Sequence, residues 1–117
     1  MKVYGISNCA SVKKAKEFFE SNNIDYEYID INKTGIDGEK LAYWQGFVSP
    51  FSMLNPRSKK YRDLGLKGKK LTDKKIVDLI SKENSLIKRP IIEHGLNGEE
   101  KFTIGFDEVE YKSTFLG

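Results

Sequence analysis

The sequence predicts an α/β fold in which a β-α-β unit is followed by a helical insertion and then a β-β-α unit, and three observations carry that prediction. Residues Lys2 to Ile6 are rich in β-formers and alternate in character, as a short buried strand does. Val12, Ala15, Phe18 and Phe19 then recur at helical spacing. Late in the chain, Arg89-Pro90-Ile91-Ile92-Glu93 reads as a strand, Gly95-Leu96-Asn97-Gly98 as a turn and residues 101–105 as the hairpin partner.

The remaining elements follow in order. After the opening strand, Ser7-Asn8 reads as a turn and Cys9 to Asn23 as a helix, with Cys9 in its first turn and Ser7 or Asn8 available as cap. Asn22-Asn23 ends that helix, and Ile24 to Ile31, with Tyr26, Tyr28 and Ile29, reads as a second strand. The connection should be right-handed and the two strands parallel. From about residue 35 to 87 the pattern turns helical. Asp37 to Gln45 and Arg57 to Leu64 look helical, and Phe47 to Asn55 reads as an apolar loop or turn of helix. Thr72 to Lys82 is expected to be a helix capped by Thr72, with Ile76, Val77, Leu79 and Ile80 as its buried stripe. Trp44, with Leu41 and Phe47, is expected to pack the inserted helix against the sheet. Asp107 can cap a final helix running to about Phe115. The order β-α-β, helical insertion, β-β-α is a thioredoxin-like layout, and it places Cys9 at the carboxyl end of strand one, where ligands bind in open α/β sheets.

Length and composition bound the answer. A chain of 117 residues suits one domain. With 38% hydrophobic and 32% charged residues it should fold as a soluble globule. No apolar run approaches the ~18 residues of a membrane span, and Met1 to Ile6 lacks a signal-peptide pattern, so no membrane partner and a cytoplasmic location are expected. One cysteine cannot make an internal disulfide, and one histidine beside it leaves too few soft ligands for structural zinc. Arg57, Lys59, Lys60, Arg62, Lys67, Lys69, Lys70, Lys74 and Lys75 concentrate positive charge in mid-chain. Aromatic interleaving is sparse there, so a solvated basic face is expected rather than a nucleic-acid surface. Gly65-Leu66-Lys67-Gly68-Lys69-Lys70 lacks the spacing and hydroxyl of a Walker loop.

Cys9 is the candidate nucleophile. A thiolate, not a thiol, does the chemistry, so a working cysteine needs something that holds negative charge. The helix start supplies free amides and the positive end of the helix dipole, Lys13 lies one turn on, and Lys16 can reinforce both. His94, the one histidine, could serve as a base but is expected to be exposed beside the hairpin turn.

The same residues carry a resemblance. Tyr4-Gly5-Ile6-Ser7-Asn8-Cys9, Lys13-Lys14-Ala15, Asn22-Asn23-Ile24-Asp25-Tyr26, Ile87-Lys88-Arg89-Pro90-Ile91-Ile92 and Ile104-Gly105-Phe106 resemble, in order, the arsenate reductase (ArsC) superfamily, which includes Spx-type regulators. The start is most similar to its YffB-type branch of glutathione-dependent thiol reductases. The resemblance implies a thioredoxin-like fold, a cis peptide bond before Pro90 packed beside the cysteine, and Cys9, Lys13, Arg57 and Arg89 as the catalytic set. Asn8, Arg89 and Pro90 would bind the co-substrate. Arg89 and Arg57 match two of the family's oxyanion-holding arginines, and Gly105-Phe106 stands at the third. An arginine fork suits an oxyanion or the carboxylates of glutathione equally.

The implied function is that of a monothiol oxidoreductase, with no resident cofactor: the Cys9 thiolate attacks a disulfide or oxidised substrate, and glutathione is the external resolving thiol. The alternatives are a glutathione- or glutaredoxin-dependent arsenate reductase, acting on a small oxyanion, and an Spx-like regulator that docks on RNA polymerase. Spx-type regulators sense oxidation through Cys-x-x-Cys, where this chain has Cys9-Ala10-Ser11-Val12.

Overall fold

The computed structural model describes residues 1–95 and 99–117. Leu96, Asn97 and Gly98, the centre of the expected hairpin turn, lie outside the described residues. The chain divides into two units: Met1–Asp30 with Arg89–Gly117, and Ile31–Lys88 between them in sequence.

The first unit holds a mixed four-stranded sheet of order β2-β1-β3-β4. Strand β1 (Lys2–Gly5) pairs parallel with β2 (Glu27–Asp30), Val3 opposite Tyr28 and Gly5 opposite Asp30. On its other edge β1 runs antiparallel to β3 (Ile91–His94), Tyr4 opposite Ile91, and β3 pairs antiparallel with β4 (Lys101–Ile104). This is the thioredoxin-like arrangement. Helix α1 (Ala10–Ser21) buries Val12, Ala15 and Phe19. Val3, Ala15, Phe19, Ile92 and Tyr111 form the core, packed round by Phe18, Tyr26, Tyr28, Phe106 and Phe115. Burying that many aromatic rings is the main stabilisation available to so small a sheet. Asn23, in the left-handed region at φ 56, ends α1 with the Ile24 amide donating to Phe19 O at 2.9 Å. Ile24 is therefore still closing the helix, which is why β2 begins three residues later than the sequence pattern suggests.

At the chain's end Asp107 caps α7 (Glu108–Tyr111), accepting from the Glu110 amide, and a π-helical turn continues over Lys112–Leu116. The Tyr111 hydroxyl donates to Gly105 O at 2.6 Å.

The second unit is helical, as expected of the insertion. It contains α2 (Ile31–Thr34), α3 (Gly38–Gln45), α4 (Pro50–Met53), α5 (Lys59–Asp63), α6 (Asp73–Lys82) and a 3-10 turn at Asn84–Leu86. Ile31, expected to end the second strand, instead begins α2. Thr72 caps α6 as expected, but of the four stripe residues only Ile76 and Ile80 are fully buried. Helix α6 packs on α3 and α4, and Trp44 on α3 is fully buried. Asn84 ties this unit together: its Oδ1 accepts from the Ile36 amide and its Nδ2 donates to Ile80 O at 2.7 Å. Among the described residues no helix is long and apolar enough to cross a membrane.

Candidate functional site

The site is built where β1 runs out. Cys9 lies one residue before α1, as its N-cap in extended conformation (φ −91°, ψ 124°), rather than in the first helical turn as the spacing suggested. Its amide donates to Ile6 O at 3.1 Å, closing the turn that contains exposed Ser7 and Asn8, and its carbonyl accepts from the Lys13 amide at 3.1 Å. Neither Ser7 nor Asn8 takes the N-cap position, and the Cys9 side chain makes no capping hydrogen bond. The first-turn amides thus have a half-buried thiol beside them and no side-chain acceptor at the cap.

Gly5 sets how closely α1 can approach. A Cβ at Gly5 would lie 2.7 and 2.9 Å from the two Val12 γ-methyls and 3.3 Å from Tyr28 Cε1. Only a residue without a side chain lets Val12 and Tyr28 meet over the end of β1, so this glycine fixes the height of Cys9 above the sheet.

Arg89 and Pro90 reach the same end of the sheet. Continuing the register in which Tyr4 faces Ile91 sets Pro90 beside Gly5 and Arg89 beside Ile6, three residues from Cys9. The Arg89–Pro90 bond is cis, as the resemblance implied. Pro90 is buried, Arg89 half-buried, and the Pro90 carbonyl accepts from the Gly105 amide at 2.8 Å.

Cys9, Asn8, Lys13, Arg89 and Pro90 therefore share the first unit. Arg57 belongs to the second, exposed, its amide donating to Asn55 Oδ1 at 3.0 Å. Lys16, expected to reinforce the charge at Cys9, instead places its Nζ 3.5 Å from the centroid of the Tyr28 ring, a close cation–π contact. His94 departs from expectation. It is half-buried rather than exposed, because it is the last residue of β3, with Nε2 2.8 Å from Thr103 Oγ1 and its ring against Phe115 at 4.9 Å. Burial, with Lys101 and the N-terminus nearby, lowers its pKa. His94 faces Lys101, at the end of β3 away from Pro90, and so is not a base for Cys9.

Tyr28 and Asp30, beside Ser7 of the turn, are neighbours that sequence reasoning gave no role at the site. Ser7 Oγ donates to Asp30 Oδ2 at 3.4 Å. Tyr28 Oη is buried and has no well-directed hydrogen bond. Burial raises the Tyr28 pKa, the approaching Ser7 hydroxyl opposes the rise, and Asp30 and Cys9 add to it. Parallel pairing of β1 with β2 brings Tyr28 and Asp30 to this end of the sheet from some twenty positions away, and only the alternation of Tyr26, Tyr28 and Asp30 into β2 could have hinted at it.

Comparison with known proteins gives this geometry its setting. The chain is 36% identical over 114 residues to an uncharacterized protein of Haemophilus influenzae, covering 97% of this chain and 96% of that one. It is 29% identical over 112 residues to the global transcriptional regulator Spx 2 of Bacillus anthracis, covering 94% and 82%. Among solved structures, a protein described as YFFB superposes with a TM-score of 0.82 at 28% identity, covering 96% of each chain. The ArsC family matches residues 4–114, which takes in the end of β1, the Cys9 turn, the insertion and the Arg89–Pro90 strand, and this chain belongs to that family.

Proposed function

We propose that the protein is a monothiol oxidoreductase that uses Cys9 as its nucleophile and glutathione as its external resolving thiol. The observation that carries this reading is the start of α1, where a half-buried thiol takes the N-cap position that a capping oxygen usually fills. Backbone amides and the helix dipole favour negative charge there. In the cycle, the Cys9 thiolate attacks one sulfur of a disulfide R–S–S–R′, a new S–S bond forms, and R′S⁻ leaves. A glutathione thiolate then attacks the R sulfur of the mixed disulfide, giving a glutathione–R disulfide and returning Cys9 as thiolate. A second glutathione thiolate attacks the glutathione sulfur of that disulfide, releasing RS⁻ and forming oxidised glutathione, so the two electrons come from two glutathione thiols. With one cysteine in the chain no internal thiol can resolve the intermediate. Arg89, beside Pro90 at the same end of the sheet, is the residue assigned to the glutathione carboxylate, which its fork can grip with two parallel hydrogen bonds.

Treatment with oxidised glutathione should give one adduct by mass spectrometry, on Cys9, absent from Cys9→Ser and reversed by reduced glutathione in a concentration-dependent way. No adduct under conditions where iodoacetamide labels Cys9 fully would overturn the proposal. Arg89→Ala should raise KM for glutathione ~10-fold or more, the size expected for losing a charge-assisted hydrogen bond.

A second reading is favoured by the similarity to Spx 2 over 94% of the chain: a transcriptional regulator working by docking. Retention on RNA polymerase subunits in a pull-down, together with no glutathione adduct, would put that reading in place of the enzyme.

A further inference from the structure

The positive charge of the chain is gathered in one stretch of the second unit. Residues 56–75 carry nine lysines and arginines against Asp63 and Asp73, a local charge of +7 in a chain whose net charge is +3, so the rest carries −4. Like charges so close repel one another in the folded state, and their concentration needs a reason. Among the described residues, Lys60 is the one member of this set held in an ion pair, with Glu83 at 3.5 Å. A merely solvated face would be flat and polar. Here the cations border an apolar hollow of about 530 Å³ lined by Pro56, Tyr61, Arg62, Gly65, Leu66 and Lys67. Pro56, Tyr61 and Leu66 supply its apolar wall, and Arg62 and Lys67 stand exposed at its lip. Arg57 follows Pro56 in the chain, and the Lys69 amide donates to Leu66 O at 3.1 Å, which brings two further cations to its border.

Backbone hydrogen bonds hold this hollow in shape. Ser58 caps α5, its hydroxyl accepting from the Tyr61 amide at 3.1 Å. The Leu64 amide donates to Lys60 O and the Gly65 amide to Arg62 O, and the Leu66 amide then donates to Tyr61 O at 3.3 Å. Gly65 takes a left-handed φ of 63°, which ends α5 and returns Leu66 and Lys67 to the side of Tyr61. A ligand therefore meets walls already ordered, and little conformational entropy is lost on binding.

We propose that this surface docks an acidic segment of a partner protein: an apolar side chain enters between Pro56, Tyr61 and Leu66, and the carboxylates flanking it pair with Arg62 and Lys67. An apolar centre inside a charged rim is the anatomy of a protein interface. Cations at the rim steer the encounter and select a partner of opposite charge. Single-stranded nucleic acid asks instead for a row of aromatic faces on which successive bases stack, and Tyr61 is the one aromatic ring in the lining. The inference stands apart from the chemistry of Cys9.

Fluorescence anisotropy on the full chain tests it, with a labelled peptide of aspartates and glutamates around a single phenylalanine. Binding should saturate, and should weaken as salt rises. Replacing the phenylalanine with serine should weaken it ~10-fold or more, the scale of one buried aromatic side chain. Arg62→Glu with Lys67→Glu should weaken the phenylalanine peptide ~10-fold or more, because like charges then face each other at the rim. Lys74→Glu with Lys75→Glu makes the same change of charge on α6, outside the lining, and should cost less than about 2-fold. Absence of saturable binding overturns the proposal. So does equal binding of the serine peptide, or equal loss in the two double variants, since either marks attraction by charge alone. A thymidine oligonucleotide or phosphatidylserine vesicles binding more tightly than the peptide, and released by Arg62→Glu with Lys67→Glu, would give the surface to nucleic acid or lipid instead. The two peptides are compared on the unaltered chain, so that comparison decides even where a variant fails to fold.

Discussion

The start of α1 and the start of α6 show two uses of the same backbone feature. At α6 the Thr72 side chain accepts from the Lys75 amide, and Asp37, Ser49, Ser58 and Asp107 do the same for α3, α4, α5 and α7. At α1 the N-cap is Cys9, with no side-chain cap and no acidic residue in the first turn. Among the described residues, five helix starts are closed by a side-chain oxygen, whereas that of α1, over the carboxyl end of β1, is left to a sulfur. A cap is worth about 1 kcal/mol. α1 forgoes that stabilisation, which leaves its amides for charge on Cys9 or on a ligand.

The comparison can be broken most severely at Gly5, on which the position of α1 depends. Gly5→Ala places a methyl 2.7 Å from a Val12 methyl, and overpacking of that kind should cost about 1–3 kcal/mol in urea denaturation. Cys9 alkylation should change at every pH, because the turn itself moves. A variant as stable as the parent would mean that α1 does not sit as tightly as described.

Thr72→Ala should cost about 1 kcal/mol by the same denaturation, through loss of its cap, and leave Cys9 alkylation untouched. Cys9→Ser should go the other way. A serine at the N-cap supplies the missing acceptor, so the variant should gain about 0.5–1 kcal/mol while losing all adduct formation. Stability gained as reactivity is lost would show that the open cap is kept for function. A destabilised Cys9→Ser would sink that account.

The smallest effect is assigned to Lys13, exposed one turn along α1. Lys13→Ala should slow alkylation at pH 7 about 2- to 4-fold, the range of a screened surface charge at a helix start, and the difference should shrink in 0.5 M salt. A salt-insensitive loss would mean that Lys13 acts through packing.

Much of this architecture was legible in the sequence because it rests on local rules. Val12, Ala15 and Phe19 repeat at helical spacing and are the buried face of α1. Thr72 stands before a periodic stripe and caps α6. What escaped depends on neighbours distant in the chain. Tyr28 read as an ordinary strand residue, since nothing near it announces that parallel pairing with β1 and the bare surface of Gly5 carry its ring under the Cys9 turn. His94 stood next to a glycine and looked exposed, but Phe115 from the final turn covers it. The offset of Cys9 by one residue, from helix to cap, lies within the uncertainty of any helix boundary read from spacing. It matters chemically all the same, because the cap is the position where a side chain can face the free amides.

The order of the strands has a consequence for how the protein is made. Tyr4 on β1 donates to Glu93 on β3 at 2.9 Å, a bond that spans 89 residues, and the Arg89–Pro90 pair enters the sheet through the same strand. At ~5–20 residues per second on the ribosome, β1 waits several seconds for its antiparallel partner. The insertion, continuous in sequence, is synthesised in that interval, and its close contacts can form ahead of the sheet. A nascent chain stalled before residue 89 therefore carries the cysteine without the arginine and proline beside it. Such a chain would lack the carboxylate grip assigned to Arg89. The full constellation at the carboxyl end of β1 is therefore assembled only in the last quarter of translation.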